Sequence, residues 1–226
     1  MPKLTRSTLN QKAYLQLREM ILNGSIARGE QIDERRLAAE LDVSRTPLRE
    51  AIGQLVTEGI VEYRPYIGTQ VRTFTAKQVN DLYQVRKALE ALAIRLAIPK
   101  LSQEHIEHIR SILDDVHNAL ERGDIDAYTA ADRRFHSAII KIADNETLTE
   151  SINRLSAQIQ MVRAIANRDP HVVERTSHER PLILAALEAR DANAAAALME
   201  EHIDGVRRAV VAQIEQLERE EDSAAS

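Results

Sequence analysis

The residues best suited to chemistry are a carboxylate and three histidines in the second half of the chain. Asp132 and His136 are four residues apart in a segment of helical periodicity, so they share one helix face. His178 and His202 lie in two later helical segments, and antiparallel packing can bring all four side chains to one interior point. Three imidazoles and a carboxylate suit a divalent metal ion such as Zn, Ni or Mn. An Asp and a His at this spacing also occur as a surface or capping pair, so the residues alone leave both interpretations open.

Arginines in the same half offer a second kind of chemistry, the binding of a small acid. A guanidinium can hold a carboxylate through two hydrogen bonds, and Arg86 is the first candidate for this role. Arg133, Arg134 and Arg163 are weaker candidates. Arg86 also stands one helical turn before Glu90, and an ion pair between these two residues is an equally good interpretation.

Residues 33–59 have the pattern of two short helices joined by a tight turn. Asp33 can cap the first helix and Ser44 can cap the second. Pro47 falls in the first turn of the second helix, where its missing N–H removes no helical hydrogen bond. Leu48 begins a stripe of apolar residues at helical spacing, which predicts the buried face of that helix.

The opposite face of the second helix begins with side chains that suit the DNA major groove. Arginine can bond two atoms of guanine, and serine or threonine can reach phosphates or base edges. Residues 60–72 are typical of a hairpin, or wing, whose glycine permits close approach to the DNA. The predicted DNA-binding residues are Arg35, Ser44, Arg45, Thr46, Arg49 and Gly68.

Composition limits the class of protein. A chain of 226 residues with 44% hydrophobic residues predicts one large or two ordinary domains. The absence of cysteine excludes disulfides and cysteine-ligated metals. No apolar run approaches the length of a membrane span, and the N-terminus lacks the apolar core of a signal peptide. We therefore expect a cytoplasmic protein with no membrane partner.

Charge is distributed unevenly between the two parts of the chain. Residues 1–72 carry 11 Lys and Arg against 9 Asp and Glu, a net charge of +2. The remaining residues carry 19 against 26, a net charge of −7. Only the first part is thus a plausible partner for DNA phosphates.

Helical periodicity runs from Thr75 to the end of the chain, with short breaks. The predicted helices are 75–98, 102–121, 124–142, 146–167, 171–189 and 191–219. Short loops favour antiparallel neighbours in a bundle. The sequence therefore predicts a mainly α protein with an N-terminal winged helix-turn-helix and a C-terminal antiparallel bundle of about six helices. The expected domains are 1–74 for DNA binding and 75–226 for effector binding, metal binding and dimerisation.

Two longer stretches resemble known families. The segment LAAELDVSRTPLREAIGQLVTEGIVEYRPYIGTQV resembles the winged helix-turn-helix of the GntR family of bacterial transcription regulators. The second half resembles the FCD domain, the effector-binding domain of the FadR subfamily, and its six helices are more similar to the VanR-like branch. The segments that carry this resemblance are DLYQVRKALEALAIRLA, YTAADRRFHSAIIKIADNETL and SHERPLILAALEARDANAAAALMEEHI.

The resemblance implies particular partners and site residues. In the family, Asp-x3-His followed by two later histidines binds a metal, which implies this role for Asp132, His136, His178 and His202. Family members bind small organic or sugar acids in the same cavity and bind palindromic double-stranded DNA operators as homodimers. The resemblance therefore implies a regulator, more often a repressor, that responds to a carboxylate effector.

Two other classes of function compete with this interpretation. A metal-dependent hydrolase built on the Asp and His cluster needs a general base near an open metal position, and the sequence marks none. Such an enzyme also leaves the helix-turn-helix unexplained, and we expect no catalytic residues. A purely architectural DNA-binding protein has no reason for an interior polar cluster.

Overall fold

The computed structural model describes residues 6–224 and, within them, the side chains of residues 10–220. The chain divides into two compact units, of which the first ends at Thr73 and the second begins at Phe74. Among the described residues, no helix is both long enough and apolar enough to cross a membrane.

The first unit consists of three helices and a two-stranded sheet. Its elements are α1 Arg6–Leu22, α2 Glu34–Glu40, α3 Arg45–Thr57, β1 Val61–Arg64 and β2 Gly68–Val71. The strands are antiparallel, with Val61 opposite Val71 and Arg64 opposite Gly68. This is a winged helix-turn-helix, as the sequence predicts.

Local chemistry explains where the two central helices of this unit begin. The Asp33 side chain accepts hydrogen bonds from the backbone N–H groups of Arg35 and Arg36, which caps α2. Asp42 adopts a left-handed conformation with a φ of 51° in the turn before α3. Leu48 and Leu55 of α3 are fully buried, so the first turn of this helix presents its other face to solvent.

The second unit is a bundle of helices joined by short loops. Its elements are α4 Ala76–Ala97, a 3₁₀ turn Ile98–Lys100, α5 Gln103–Glu121, α6 Ile125–Ala143, α7 Glu146–Ala166, α8 Pro170–Glu188 and α9 Ala192–Ala224. The predicted fold class, mainly α with an N-terminal winged helix-turn-helix, is confirmed. The last helix extends to residue 224, beyond the predicted end at residue 219.

Side-chain caps fix the start of several bundle helices. Thr75 accepts a hydrogen bond from the Gln78 backbone, and the Gln78 side chain accepts one from the Thr75 backbone in return. Ser102 and His105 form the same reciprocal arrangement at α5, which accounts for His105 without a metal or ligand. Helix α8 contains Pro181, whose ring cannot donate the usual helical hydrogen bond to the carbonyl four residues earlier.

Candidate functional site

Three of the four predicted metal ligands meet inside the second unit. Helix α6 directs Asp132 and His136 into the bundle, and α9 contributes His202. All three side chains are buried, with at most 3% of each residue exposed. One potential ligand atom from each lies within 4.8 Å of the others. The four-residue spacing therefore places Asp132 and His136 on one inward face of α6, as predicted.

The fourth predicted ligand, His178, lies elsewhere, and this part of the prediction is corrected. Its side chain is exposed on α8, and its Nδ1 lies 2.8 Å from the carbonyl oxygen of Glu174 one turn earlier. The buried side of α8 is formed by residues such as Thr176, Arg180 and Ile183. Two residues along a helix correspond to a rotation of about 200°, so His178 and Arg180 point in opposite directions.

Arg180 is the residue that α8 contributes to the buried group. Its Nε and Nη2 donate hydrogen bonds to Oδ1 of Asp132 at 3.1 and 2.6 Å. Nη2 also donates to the Tyr128 hydroxyl at 2.9 Å, and the guanidinium lies 5.2 Å from the centre of the Tyr128 ring. The remaining nitrogen, Nη1, is buried without a hydrogen-bond partner among the described residues. Arg180 is not among the residues predicted from the sequence, although the apolar Ile183 and Leu187 follow it by three and seven residues, a helical spacing that predicts one shared inward face.

Two of the predicted effector-binding arginines also lie in this group. Arg163 of α7 places Nη1 at 3.2 Å from Oδ2 of Asp132, so each oxygen of that carboxylate faces a guanidinium. Arg86 of α4 donates from Nε to Oε1 of Glu90 at 2.7 Å, which is the ion pair expected as an alternative. The other oxygen of Glu90 contacts Nδ1 of His136.

The weaker arginine candidates on α6 are placed differently from the prediction. Arg134 is exposed and pairs with Asp115 of α5 at 2.8 Å, and Arg133 is also exposed. Both follow Asp132 directly in the sequence, and the 100° rotation per helical residue carries their side chains away from the interior. Neither residue lines the cavity.

Burial and charge act against each other on the buried carboxylates. Burial alone raises the pKa of Asp132, but Arg163 and Arg180 outweigh it and hold that pKa well below the usual range. Burial likewise opposes the ionisation of Glu90, while His136 and Arg86 lower its pKa below the usual value. Both residues are therefore carboxylates in the folded protein.

The basic side chains show the opposite balance. Burial, followed by the positive charge of Arg180, lowers the pKa of His202 well below its usual value, so this imidazole is neutral. Burial and the nearby charge of Arg86 also lower the pKa of Arg163. The interior of the bundle thus already carries an excess of positive charge.

The donor set resembles a metal site in one respect and departs from it in another. His202 has Nδ1 at 2.7 Å from a Glu179 oxygen, and His136 has the corresponding contact with Glu90, as metal-bound histidines commonly do. Asp132, however, turns both oxygens towards guanidinium groups. A divalent cation needs those lone pairs, so this arrangement of residues does not fit a divalent metal.

A narrow polar cavity adjoins the buried group. Its volume is about 10 Å³, which is room for about one water molecule. The lining residues are Arg86, Asp132, Arg163, Asn167, Thr176, Arg180, His202 and Val206. Three guanidinium groups around one narrow space favour an anion, and the small volume means that side chains must move to admit it.

In the first unit, the predicted DNA-binding residues lie on the first turn of α3 and beside it. Arg45 and Thr46 are exposed, and their side chains have no partner among the described residues. Ser44 precedes the helix but makes no side-chain capping bond, so its hydroxyl is also available. Arg49 instead forms an ion pair with Glu34 of α2 at 2.7 Å, with 64% of its side chain exposed.

The remaining predicted contacts lie on α2 and the wing. Arg35 is exposed on α2 with no side-chain partner among the described residues. Gly68 has a φ of +99°, which side-chain-bearing residues rarely adopt. The wing also exposes two tyrosines, Tyr63 and Tyr66, with Tyr66 at a φ of 67° in the turn itself. Their exposure makes them further candidates for contact with DNA.

A winged helix-turn-helix unit together with a separate helical bundle defines a transcription regulator with one DNA-binding domain and one further domain. Residues 9–71 match the family described as bacterial regulatory proteins, gntR family, and residues 81–205 match the FCD domain. The chain therefore belongs to the GntR family of transcription regulators, and its second unit contains an FCD domain.

Individual relatives agree with this assignment. The chain is 30% identical over 201 residues to a probable D-xylose utilization operon transcriptional repressor of Paenarthrobacter nicotinovorans, covering 89% of this chain and 88% of that protein. It is 28% identical over 202 residues to the HTH-type transcriptional repressor RspR of Escherichia coli (strain K12), covering 89% of each. These matches identify a transcriptional regulator and not an enzyme, which sets aside the hydrolase alternative.

A solved structure supports the fold alone. The E. coli protein McbR/YncC superimposes with a TM-score of 0.78 over 91% of this chain and 98% of its own, at 23% sequence identity. The arrangement of elements is thus shared at low sequence similarity.

Proposed function

We propose that the protein is a homodimeric repressor whose affinity for a palindromic operator is controlled by a small organic or sugar acid bound in the FCD domain. The observation that carries this proposal is the narrow cavity lined by Arg86, Arg163 and Arg180. The printed name of one relative, a D-xylose utilization repressor, is consistent with a sugar-derived effector. A DNA-binding regulator acts where the chromosome is, so we propose a cytoplasmic location.

Charge supports an anionic effector. The buried group contains three guanidinium groups and the two carboxylates of Glu90 and Asp132, and His202 is neutral. Guanidinium groups therefore outnumber carboxylates among these buried residues. A carboxylate bound by guanidinium makes short, charge-assisted hydrogen bonds and removes this imbalance.

The tight cavity supports a coupling between effector binding and the arrangement of the helices around it. Guanidinium groups from α4, α7 and α8 lie around Asp132 of α6, so a bound acid must compete with existing ion pairs. Any ligand that binds one arrangement of these helices better than another shifts the population towards it. In a dimer, such a shift alters the spacing of the two DNA-binding domains and hence operator affinity.

The first unit supports recognition of DNA by α3 and the wing. Arg45 and Thr46 are exposed on the first turn of α3, and Arg35 is exposed on α2, where an arginine can contact a phosphate. One winged domain covers few base pairs, and a two-fold dimer that reads two inverted half-sites gains the required specificity. We propose base contacts for Arg45, Thr46 and Arg49, and backbone contacts for Arg35, Ser44 and Gly68.

A bound divalent ion is a separate matter from the acid effector. The sequence favours Zn, Ni or Mn at Asp132, His136, His178 and His202. In the structure, Asp132, His136 and His202 lie together and offer one donor each. The two guanidinium groups on Asp132 weigh against it. Operator control by an acid does not depend on this choice, because the arginines alone supply an anion site.

The test is operator binding in the presence of acids. Fluorescence anisotropy of the full-length protein on DNA from upstream of its own gene gives the operator affinity. The protein is titrated with D-gluconate, D-xylonate, succinate and citrate, and D-xylose and sodium chloride are the controls, all at one ionic strength. At least one acid should change the operator affinity, and neither control should. The acid should be recovered unchanged. An operator affinity that none of a broad panel of acids changes, with or without added metal, contradicts the proposal.

A further inference from the structure

The buried group of the FCD domain already contains a cation, and that cation is part of the chain. Arg180 donates two hydrogen bonds to one oxygen of Asp132, at 3.1 and 2.6 Å, and Arg163 lies 3.2 Å from the other oxygen. We infer that the guanidinium of Arg180 takes the place of a divalent metal ion in this protein, and that an anionic ligand binds directly to it. The part concerning the ligand rests on the proposed function.

Electrostatics favours a guanidinium over a metal in this position. A divalent ion added to the observed arrangement brings two more positive charges beside guanidinium groups that already outnumber the buried carboxylates, in surroundings where charge is poorly screened. Arginine stays protonated at any pH at which the protein is folded, so the carboxylate of Asp132 is never left without a partner.

The unpartnered nitrogen of Arg180 marks where the ligand binds. Nη1 is buried and has no hydrogen-bond partner among the described residues, although buried donors in folded proteins almost always have one. Arg180 lines the cavity together with Arg163, Asn167 and Thr176. A carboxylate oxygen there accepts a hydrogen bond from Nη1.

The experiment measures the melting temperature of the full-length, untagged protein after treatment with EDTA. Addition of Zn²⁺, Ni²⁺ or Mn²⁺ to the wild type should leave the melting temperature unchanged, and elemental analysis before EDTA treatment should find far less than one metal per chain. Sodium D-gluconate, succinate or citrate in EDTA should raise the melting temperature relative to sodium chloride of equal ionic strength. Metal bound stoichiometrically, or an acid effect that requires metal, overturns the inference.

Variants at position 180 test whether the guanidinium occupies a cation position. Arg180→His supplies an imidazole next to Asp132, His136 and His202, and Arg180→Ala leaves the space open. Both should be less stable than wild type in EDTA, and metal should raise the melting temperature of at least one of them by about 5–10 °C. If neither variant responds to metal, the guanidinium does not hold a cation position and the inference is wrong.

Two further variants make the result independent of folding defects. Arg180→Lys keeps a positive charge but not the planar fork, so it should remain indifferent to metal and bind the acids about 10-fold more weakly or worse. The exposed His178→Ala is the matched control and should behave as wild type in every titration. Failure of all acids to alter operator binding contradicts the proposed function, whereas the metal titrations decide the role of Arg180 separately.

Discussion

At the scale of single residues, the contrast between two aspartates on neighbouring helices shows how much burial matters. The Asp132 side chain is 5% exposed and faces two buried guanidinium groups, whereas the Asp115 side chain is 49% exposed and pairs with Arg134. Asp132 is part of a buried ion pair, so water cannot solvate its guanidinium partners if the carboxylate is removed. Asp115 is part of a surface pair that water replaces easily.

We therefore predict opposite outcomes for the same substitution at these two positions. Asp132→Asn should lower the free energy of unfolding by about 3–5 kcal/mol, because it leaves buried guanidinium charge without its partner. Asp115→Asn should lower it by about 0–1 kcal/mol. Urea denaturation followed by circular dichroism measures both. Equal effects of the two substitutions would show that Asp132 is not held as a buried carboxylate.

The DNA-binding arginines also differ in what surrounds them. Arg45 is free of partners among the described side chains, whereas Arg49 is already paired with Glu34. Arg45→Ala should weaken operator binding by about 1–3 kcal/mol and reduce the preference for operator over unrelated DNA. Arg35→Ala should weaken binding to both DNAs alike and lower the salt dependence by about one phosphate contact.

Anisotropy titrations at several salt concentrations distinguish these two roles. Arg154→Ala, which removes an exposed arginine of α7, is the control and should leave the titrations unchanged. Wild-type affinity and salt dependence in both Arg35→Ala and Arg45→Ala would remove the proposed DNA-binding face.

At the scale of elements, two helices begin after a residue with a hydroxyl group, but only one of these hydroxyl groups caps its helix. Thr75 completes a reciprocal capping box at α4, the helix that carries Arg86 and Glu90. Ser44 begins α3 without a side-chain capping bond. Thr75→Ala should therefore lower the free energy of unfolding by about 1 kcal/mol, while Ser44→Ala should change it by only a few tenths.

Operator binding should reverse the order of these two variants. Ser44→Ala removes a hydroxyl available to a DNA phosphate, and Thr75→Ala does not touch the DNA-binding unit. Thermal denaturation and anisotropy of the same two preparations provide the comparison. A large loss of stability in Ser44→Ala, with unchanged DNA binding, would assign the hydroxyl to folding instead.

The elements themselves were largely predictable, and the rotation of one helix was not. Periodicity and caps place the six bundle helices close to their observed bounds, because these signals are local in the sequence. The side of α8 that faces inward depends on packing against other helices. His178 fits a metal site by its chemistry, but the spacing of Ile183 and Leu187 marks Arg180 as the inward residue. The convergence of Asp132, His136 and His202 needed only the spacing on α6 and an antiparallel bundle.

At the scale of the whole molecule, the proposed dimer has a geometric consequence for DNA. Two copies related by a two-fold axis should protect two inverted half-sites together, with centres separated by about 34–36 Å or a multiple of it. DNase footprinting of the full-length protein gives this pattern directly, and a DNA with one half-site scrambled is the control. A protein that is monomeric in solution and binds its DNA one-to-one would refute the dimer.

The ion pair between Arg180 and Asp132 also bears on how the regulator depends on nutrition. A sensor that requires a bound transition metal responds only while the cell can supply that metal. Scarcity of zinc or nickel therefore abolishes its response, as it abolishes the activity of many enzymes. A charge fixed to the polypeptide is delivered at synthesis and cannot be withdrawn by competing chelators. If Arg180 supplies the cation, transcription of the regulated gene depends on the concentration of the acid alone, in metal-starved and metal-replete cells alike.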